Sequence, residues 1–176
     1  MLLDRLFRPR PARAIGQALY QRVVDQSRTP GLYADIGAPD TVEGRFEIYT
    51  LHAVLLIERL RGHGEQAAEV SQALFDAYVK SLDHALREMG VGDLSVGKKM
   101  RKLGEALFGR ARSYEEAFQA LPATELLEAL LIRTIFADAD PAGAPRLAAY
   151  VTGQRAHLAA QDLDRLLAGE VDWRPV

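Results

Sequence analysis

Apolar residues recur at every third or fourth position through most of this chain, and that spacing constrains the fold more than any other feature. The clearest example lies between positions 42 and 61, with Phe46, Tyr49, Ala53, Leu56 and Leu60. Such spacing places the side chains on one face of an α-helix. No segment shows the alternation of a half-buried strand, and no motif repeats with a period of roughly 20 to 50 residues. We therefore predict an all-α fold, a single-domain irregular bundle of about six to seven helices.

The predicted helical domain covers residues 11–168. Residues 1–10 are rich in arginine and are expected to form a flexible basic N-terminus. Residues 169–176 are too short for an element of their own and are expected to form a tail. Trp173 lies in this tail, and a large aromatic ring favours burial, so we expect it to pack on the body of the protein.

Two sites match the capping box, in which a side chain at a helix start and one three residues later satisfy free backbone N–H groups. They are Asp40 with Glu43 and Ser113 with Glu116. A helix is expected to begin at each of them. A last helix is expected to run without a break from about position 145 to about position 167.

Two glycines interrupt the helical pattern in the middle of the stretch from position 82 to 110. The residues before them that share one predicted core-facing side are Leu82, Ala85, Leu86 and Met89. Gly90 and Gly92 follow, and glycine adopts without steric cost the left-handed conformation that closes a helix. We expect one helix to end near Met89 and the next to begin with Asp93 or Ser95 as its cap.

Four cations, Lys98, Lys99, Arg101 and Lys102, follow this turn on the side opposite a predicted apolar stripe. The stripe consists of Val96, Met100, Leu103 and Leu107. Cations at a helix start oppose the positive end of the backbone dipole, at a cost of a few tenths of a kcal/mol each. Because the whole chain has a net charge of −2, the patch is local. It predicts a partner that carries negative charge, with a solvated helix face as the alternative.

No motif for catalysis, a cofactor or a metal is complete. The pattern from Gly92 to Lys98 copies the start of a phosphate-binding loop, but Lys99 occupies the place of the required hydroxyl and a helix precedes it. The chain has no cysteine, and its four histidines lie on separate segments. Only His84 and Glu88 have the one-turn spacing of a ligand pair. We therefore expect a protein that is not an enzyme, with no cofactor, no metal site and no catalytic residue.

The N-terminal sequence MLLDRLFRPRPAR is not expected to be a secretory signal, because Asp4 and Arg5 interrupt its apolar run and no small-residue cleavage site follows. The longest apolar run, from Ala53 to Ile57, is much shorter than the roughly 20 residues that a membrane span needs. A cytoplasmic protein is predicted. Because arginines and leucines interleave at the N-terminus, the alternative is a peripheral position on the inner face of the cytoplasmic membrane.

The runs REMGVGDLSVGKKM, residues 87–100, and LFGR, residues 107–110, resemble the ubiquinol-cytochrome c chaperone family. The resemblance implies an all-helical, non-enzymatic assembly factor for cytochrome b of the bc1 complex. Mitochondrial members act with a smaller helical partner near the ribosomal tunnel exit. Because this sequence shows no transit peptide, it resembles a bacterial version that consists of the domain alone. The implied partner is newly made cytochrome b, with the ribosome surface as a further possibility and no role for DNA.

The residues expected to contact a partner combine the positions that match the family with the basic cluster. They are Arg87, Glu88, Gly90, Gly92, Asp93, Lys98, Lys99, Arg101, Lys102 and Arg110. An apolar groove beside the basic helix start would hold the apolar surface of a client helix and its charged end. The alternatives are a peripheral protein that binds anionic lipid and a protein that binds RNA or the ribosome surface through the same cations.

Overall fold

The computed structural model describes residues 11–176 except Met89 and Val91. The predicted flexible N-terminus, residues 1–10, lies outside the described residues. The described part contains eight α-helices, one 3-10 turn and no strand, which confirms the predicted all-α fold. The helices are α1 (Pro11–Ser27), α2 (Pro30–Ala34), α3 (Val42–Leu60), α4 (Glu65–Glu88), α5 (Asp93–Gln119), α6 (Glu125–Thr134), α7 (Ala144–Ala160) and α8 (Leu163–Leu167), with the 3-10 turn at Pro141–Gly143.

The core lies around α3, which contributes the fully buried side chains Ile48, Leu51, Leu55, Leu56 and Leu60. Helices α1 and α4 pack against each other beside it. They approach closely at Gly16, where an added Cβ would lie 2.5 Å from the backbone carbon of Ala73. Any larger side chain at position 16 would therefore push the two helices apart.

The cap of α3 differs from the sequence prediction by one residue, although the helix begins at Val42 as predicted. Thr41, not Asp40, is the cap, and its hydroxyl accepts a hydrogen bond of 3.1 Å from the backbone N–H of Gly44. Asp40 instead pairs with the guanidinium of Arg45. Both residue types can cap a helix, and the ion pair leaves Thr41 to satisfy the free N–H group.

Helix α5 is continuous from Asp93 to Gln119, so the predicted helix start at Ser113 is wrong. Tyr114, Ala117 and Phe118 are buried and continue the inward stripe from Leu107. An interrupted helix would turn these side chains out of the core. Burial of about 2 kcal/mol per large apolar side chain therefore outweighs a local capping signal worth about 1 kcal/mol.

The predicted last helix is broken in two, because Gln161 has an extended backbone with φ −77° and ψ 144°. Arg59 of α3 satisfies the carbonyl groups at this break. Its Nε donates to Leu158 O and its Nη2 to Gln161 O, both at 2.8 Å. Asp162 then caps α8 by accepting a hydrogen bond from the N–H of Asp164 at 3.0 Å. A side chain roughly 100 positions away in sequence thus decides where α7 ends.

The C-terminal tail returns across the body and lies along α7. Trp173 is partly buried against the core, which confirms the prediction that it docks. Its ring lies edge-on to the imidazole of His52, with 5.2 Å between the ring centroids.

Candidate functional site

Helices α4 and α5 form an antiparallel pair that we term the basic hairpin, residues 75–110. Helix α4 ends at Glu88, and Gly90 follows with φ +80°, as the glycine pattern predicted. Helix α5 begins at Asp93 with Gly92 as its N-cap residue, so the prediction of Asp93 or Ser95 as the cap is wrong. The carbonyl of Gly92 accepts hydrogen bonds from the N–H groups of Ser95 and Val96. Gly92 has no side chain, so it makes no side-chain cap to the N–H groups of the first turn.

The two helices of the basic hairpin meet along an apolar seam. Val96 and Leu107 of α5 are buried, and Met100 and Leu103 are half-buried, as the predicted stripe requires. On α4, Leu82 is half-buried and packs against the core, as predicted, whereas Leu86 is half-buried without being part of the core cluster and Ala85 is exposed, so the prediction that this face is core is only partly confirmed. Helix α1 contacts α4 at Tyr78, whose ring centroid lies 6.1 Å from that of Tyr20, and these residues follow that contact along α4. Met89, the fourth residue of that face, lies outside the described residues.

An aromatic pair lies at the base of this seam. The rings of Phe75 and Phe108 are tilted by 39°, with 5.7 Å between their centroids. Phe108 is 68% exposed, which is unusual for a large apolar side chain within an ordered helix pair. The pair therefore provides an apolar surface that is open to solvent beside the cations of α5.

The four predicted cations Lys98, Lys99, Arg101 and Lys102 are all exposed, and none forms a salt bridge with another residue in the described part of the chain. At 3.6 residues per turn, Lys98, Arg101 and Lys102 lie within an arc of roughly 100° on the outer face of α5, and Lys99 lies on its flank. This arrangement places concentrated positive charge at the positive end of the α5 dipole.

The remaining predicted residues of the turn lie beside this cluster. Glu88, Gly90 and Gly92 are exposed, and Asp93 begins α5. Arg87 is also exposed, and its Nε bonds Asp83 at 2.7 Å one turn earlier in α4. The structure therefore brings nine of the ten predicted partner-contact residues to the last turn of α4, the connecting turn and the first turns of α5.

Arg110, the tenth, has a different environment. Its Nε and Nη2 bond the carboxylate of Glu47 on α3 at distances of 2.8 to 3.1 Å. Glu47 is only 7% exposed, and the hydrogen bond to it raises the pKa of Arg110. The pair attaches the middle of α5 to the core helix and so orients the basic hairpin. Sequence reasoning missed Glu47, because nothing in a pattern of exposed charges distinguishes a carboxylate that will be buried.

A buried polar chain around His52 was also missed. Nδ1–H of His52 donates to Ile48 O at 2.8 Å, which leaves Nε2 to accept from the hydroxyl of Tyr150 at 2.8 Å. Gln26 donates in turn to that hydroxyl at 2.8 Å. Burial lowers the pKa of His52 to about 4, so the imidazole is neutral at pH 7. Through these hydrogen bonds the neutral imidazole of His52 links α3 to Tyr150 of α7 and, through Tyr150, to Gln26 of α1.

Two further properties bear on function. Among the residues that the structure describes, no three or more histidine, aspartate and glutamate side chains are grouped so that they could hold a metal ion. Within the same residues, none of the helices combines the length and the apolar character that crossing a bilayer demands.

The fold and the site define a small all-helical protein with a cationic helical hairpin on its surface. The model of the protein family described as "Ubiquinol-cytochrome C chaperone" matches residues 34–173. The chain belongs to the ubiquinol-cytochrome c chaperone family, as the resemblance in the basic hairpin predicted.

Individual relatives agree with this assignment. Ubiquinol-cytochrome c reductase complex assembly factor 1 of Mus musculus is 26% identical over 161 residues, covering 90% of this chain and 54% of the relative. The protein of the same name from Xenopus laevis is 24% identical, covering 90% of this chain and 80% of the relative. This chain therefore spans only about half the length of the mouse relative. The crystal structure of the Cbp3 homolog from Brucella abortus is 33% identical, with a TM-score of 0.85 over 99% of this chain and 97% of that one.

Proposed function

We propose that this protein is a chaperone for assembly of the ubiquinol-cytochrome c reductase complex and that its client is newly made cytochrome b. Membership of the family and the names of the mouse and frog relatives support the assembly role. The observation that carries the proposal on this chain is the basic hairpin, which combines an exposed cationic cluster with a partly open apolar seam.

The client is proposed to lie along the seam of the basic hairpin. A segment of an unassembled membrane protein is an apolar helix whose ends carry polar or charged groups. The exposed ring of Phe108 and the half-buried Leu86 and Leu103 offer it apolar surface. Lys98 and Lys99 would bind acidic groups at its end, assisted by the α5 dipole. Arg110 contributes by holding α5 in place through Glu47.

A binding experiment tests this arrangement. The double substitution Lys98→Glu and Lys99→Glu is expected to weaken capture of newly synthesised cytochrome b roughly tenfold, because like charges now face the client. The thermal midpoint should stay within about 2 °C of the parent, since both side chains are exposed and make no ion pair with the described residues. The matched control reverses Arg22 and Arg133, which are also exposed. Equal capture by all three proteins would exclude the basic hairpin as the client site.

The assembly role is tested in cells. Membranes from a strain without the gene should lose b-type haem absorbance in the reduced-minus-oxidised spectrum and lose bc1 activity. The parent gene should restore both, and the Lys98→Glu, Lys99→Glu gene should restore less, at equal protein abundance. An unchanged spectrum together with normal bc1 activity would contradict the assembly role.

One observation favours a second candidate function, the binding of an anionic lipid surface without a protein client. Phe108 lies two turns after Arg101 on nearly the same side of α5, so an exposed aromatic ring and a cation face solvent together. This pairing is typical of residues that insert at a membrane interface. Sedimentation with anionic vesicles that is lost on Lys98→Glu and Lys99→Glu, combined with unchanged capture of cytochrome b, would favour this function.

A further inference from the structure

A second cationic site lies on the outer face of α7, where the C-terminal tail crosses it. A cavity of about 370 Å³ opens between α7 and the tail. Arg146 of α7 and Arg174 of the tail both line it, together with Ala149 and Tyr150, and no acidic side chain does so. Neither arginine forms a salt bridge with any residue that the structure describes. The basic hairpin contributes nothing to this cavity.

The tail is fixed to α7 by two glutamine side chains. Gln154 donates to Arg174 O at 2.7 Å and accepts from Arg174 N–H at 3.0 Å. Gln161 forms the same pair of bonds with the backbone of Asp172, at 2.8 and 2.9 Å. Each amide therefore uses one N–H donor and its oxygen to bind the tail. Their effect is to hold the backbone of Arg174 in one place, which lowers the entropy cost of using its side chain for binding.

The guanidinium of Arg174 also has a defined position. Its Nη1 lies against Gly153, where an added Cβ would be only 2.4 Å away. Position 153 lies two turns after Arg146 on nearly the same side of α7, about 10 Å along the axis. Arginine side chains are long enough to reach across that distance toward each other, with Ala149 and the ring of Tyr150 as the floor between them. The hydroxyl of Tyr150 is already bonded to His52 and Gln26, so the two guanidinium groups are the donors.

We propose that this cavity binds a phosphate group between Arg146 and Arg174 and that the bound phosphate further stabilises the docked tail by bridging it to α7. Two planar guanidinium groups match the oxygens of a phosphate and its double negative charge. A shared anion also removes the repulsion between the two cations. In the free protein both arginines already line the cavity, and the ligand supplies the negative charge that binds them together.

The single tryptophan of the chain provides the measurement, because Trp173 adjoins Arg174. Inorganic phosphate is titrated against chloride at constant ionic strength while Trp173 fluorescence and the thermal midpoint are recorded. A saturable fluorescence change and a rise in the midpoint are expected. Arg146→Gln and Arg174→Gln should each weaken the affinity roughly tenfold, since each removes a charge-assisted bidentate bond. Arg133→Gln, an exposed arginine outside the cavity, should bind phosphate like the parent.

A variant that keeps both charges tests the geometry separately. Gly153→Ala moves the guanidinium of Arg174 while preserving the net charge, and it should weaken phosphate binding with little loss of stability. Sedimentation with vesicles distinguishes a lipid headgroup from a free phosphate as the ligand. If the ligand is a lipid headgroup, vesicles that contain phosphatidic acid should sediment the parent protein but neither arginine variant, and vesicles without it should sediment none of them. Phosphate responses that are equal in the parent, Arg146→Gln and Arg174→Gln would overturn the proposal.

Discussion

Acidification is expected to destabilise this protein through His52, before most carboxylates are protonated. The imidazole is fully buried, and burial lowers its pKa to about 4, whereas an exposed histidine has its pKa near 6.5. Between these two values the unfolded chain binds a proton that the folded chain does not. The stabilisation by neutral His52 is therefore complete above pH 6.5 and is lost as the pH falls toward 4.

The size of the effect follows from the two pKa values. The full shift corresponds to about 3 kcal/mol, of which about 2 kcal/mol is already lost at pH 5. The assay is urea unfolding followed by far-UV circular dichroism at pH 7, 6 and 5. His52→Asn is the comparison, because asparagine can keep the bond to Ile48 O and does not titrate. The difference in unfolding free energy between the two proteins should shrink by about 2 kcal/mol from pH 7 to 5.

The outcome that would refute this reasoning is a constant difference between the two proteins across that range. If His52→Asn does not fold, the chemical shift of the His52 ring in the parent protein provides the same test. A ring that stays neutral above pH 5 agrees with the prediction. A ring that titrates near pH 6.5 contradicts it.

Three other predictions concern stability. Arg110→Met should lower the free energy of unfolding by about 2 kcal/mol in urea unfolding, because it leaves Glu47 buried without its partner, and Glu47→Gln should restore part of that loss. Thr41→Ala should cost about 1 kcal/mol in the same assay and Asp40→Ala much less, which separates the observed cap from the one that the sequence suggested. Gly16→Val should lower the thermal midpoint by several degrees, since its side chain would overlap the backbone of Ala73, whereas Gly104→Val has open space and should cost less.

Local features of the sequence were enough to predict helices α3 and α4 and the turn of the basic hairpin. The spacing of apolar residues in α3 and α4 predicts a helix wherever it occurs, because it depends only on 3.6 residues per turn. Gly90 closes α4 through its own backbone freedom, with φ +80°. The exposure of Lys98 and its neighbours follows from the same periodicity. The family resemblance lies in this stretch too, so it could be recognised from contiguous residues.

The tertiary structure determined which local helix-start patterns actually begin a helix and which residues far apart in the sequence are in contact. Ser113 could have started a helix, but burial of Tyr114 and Phe118 kept α5 continuous. The Glu47 and Arg110 pair joins positions 63 residues apart. The presence of Arg146 and Arg174 beside the same cavity depends on how the tail returns along α7. Each of these features depends on the rotation and offset of the packed helices. Rotation and offset are determined by how complete side-chain surfaces fit together, and a contiguous stretch of sequence does not contain that information.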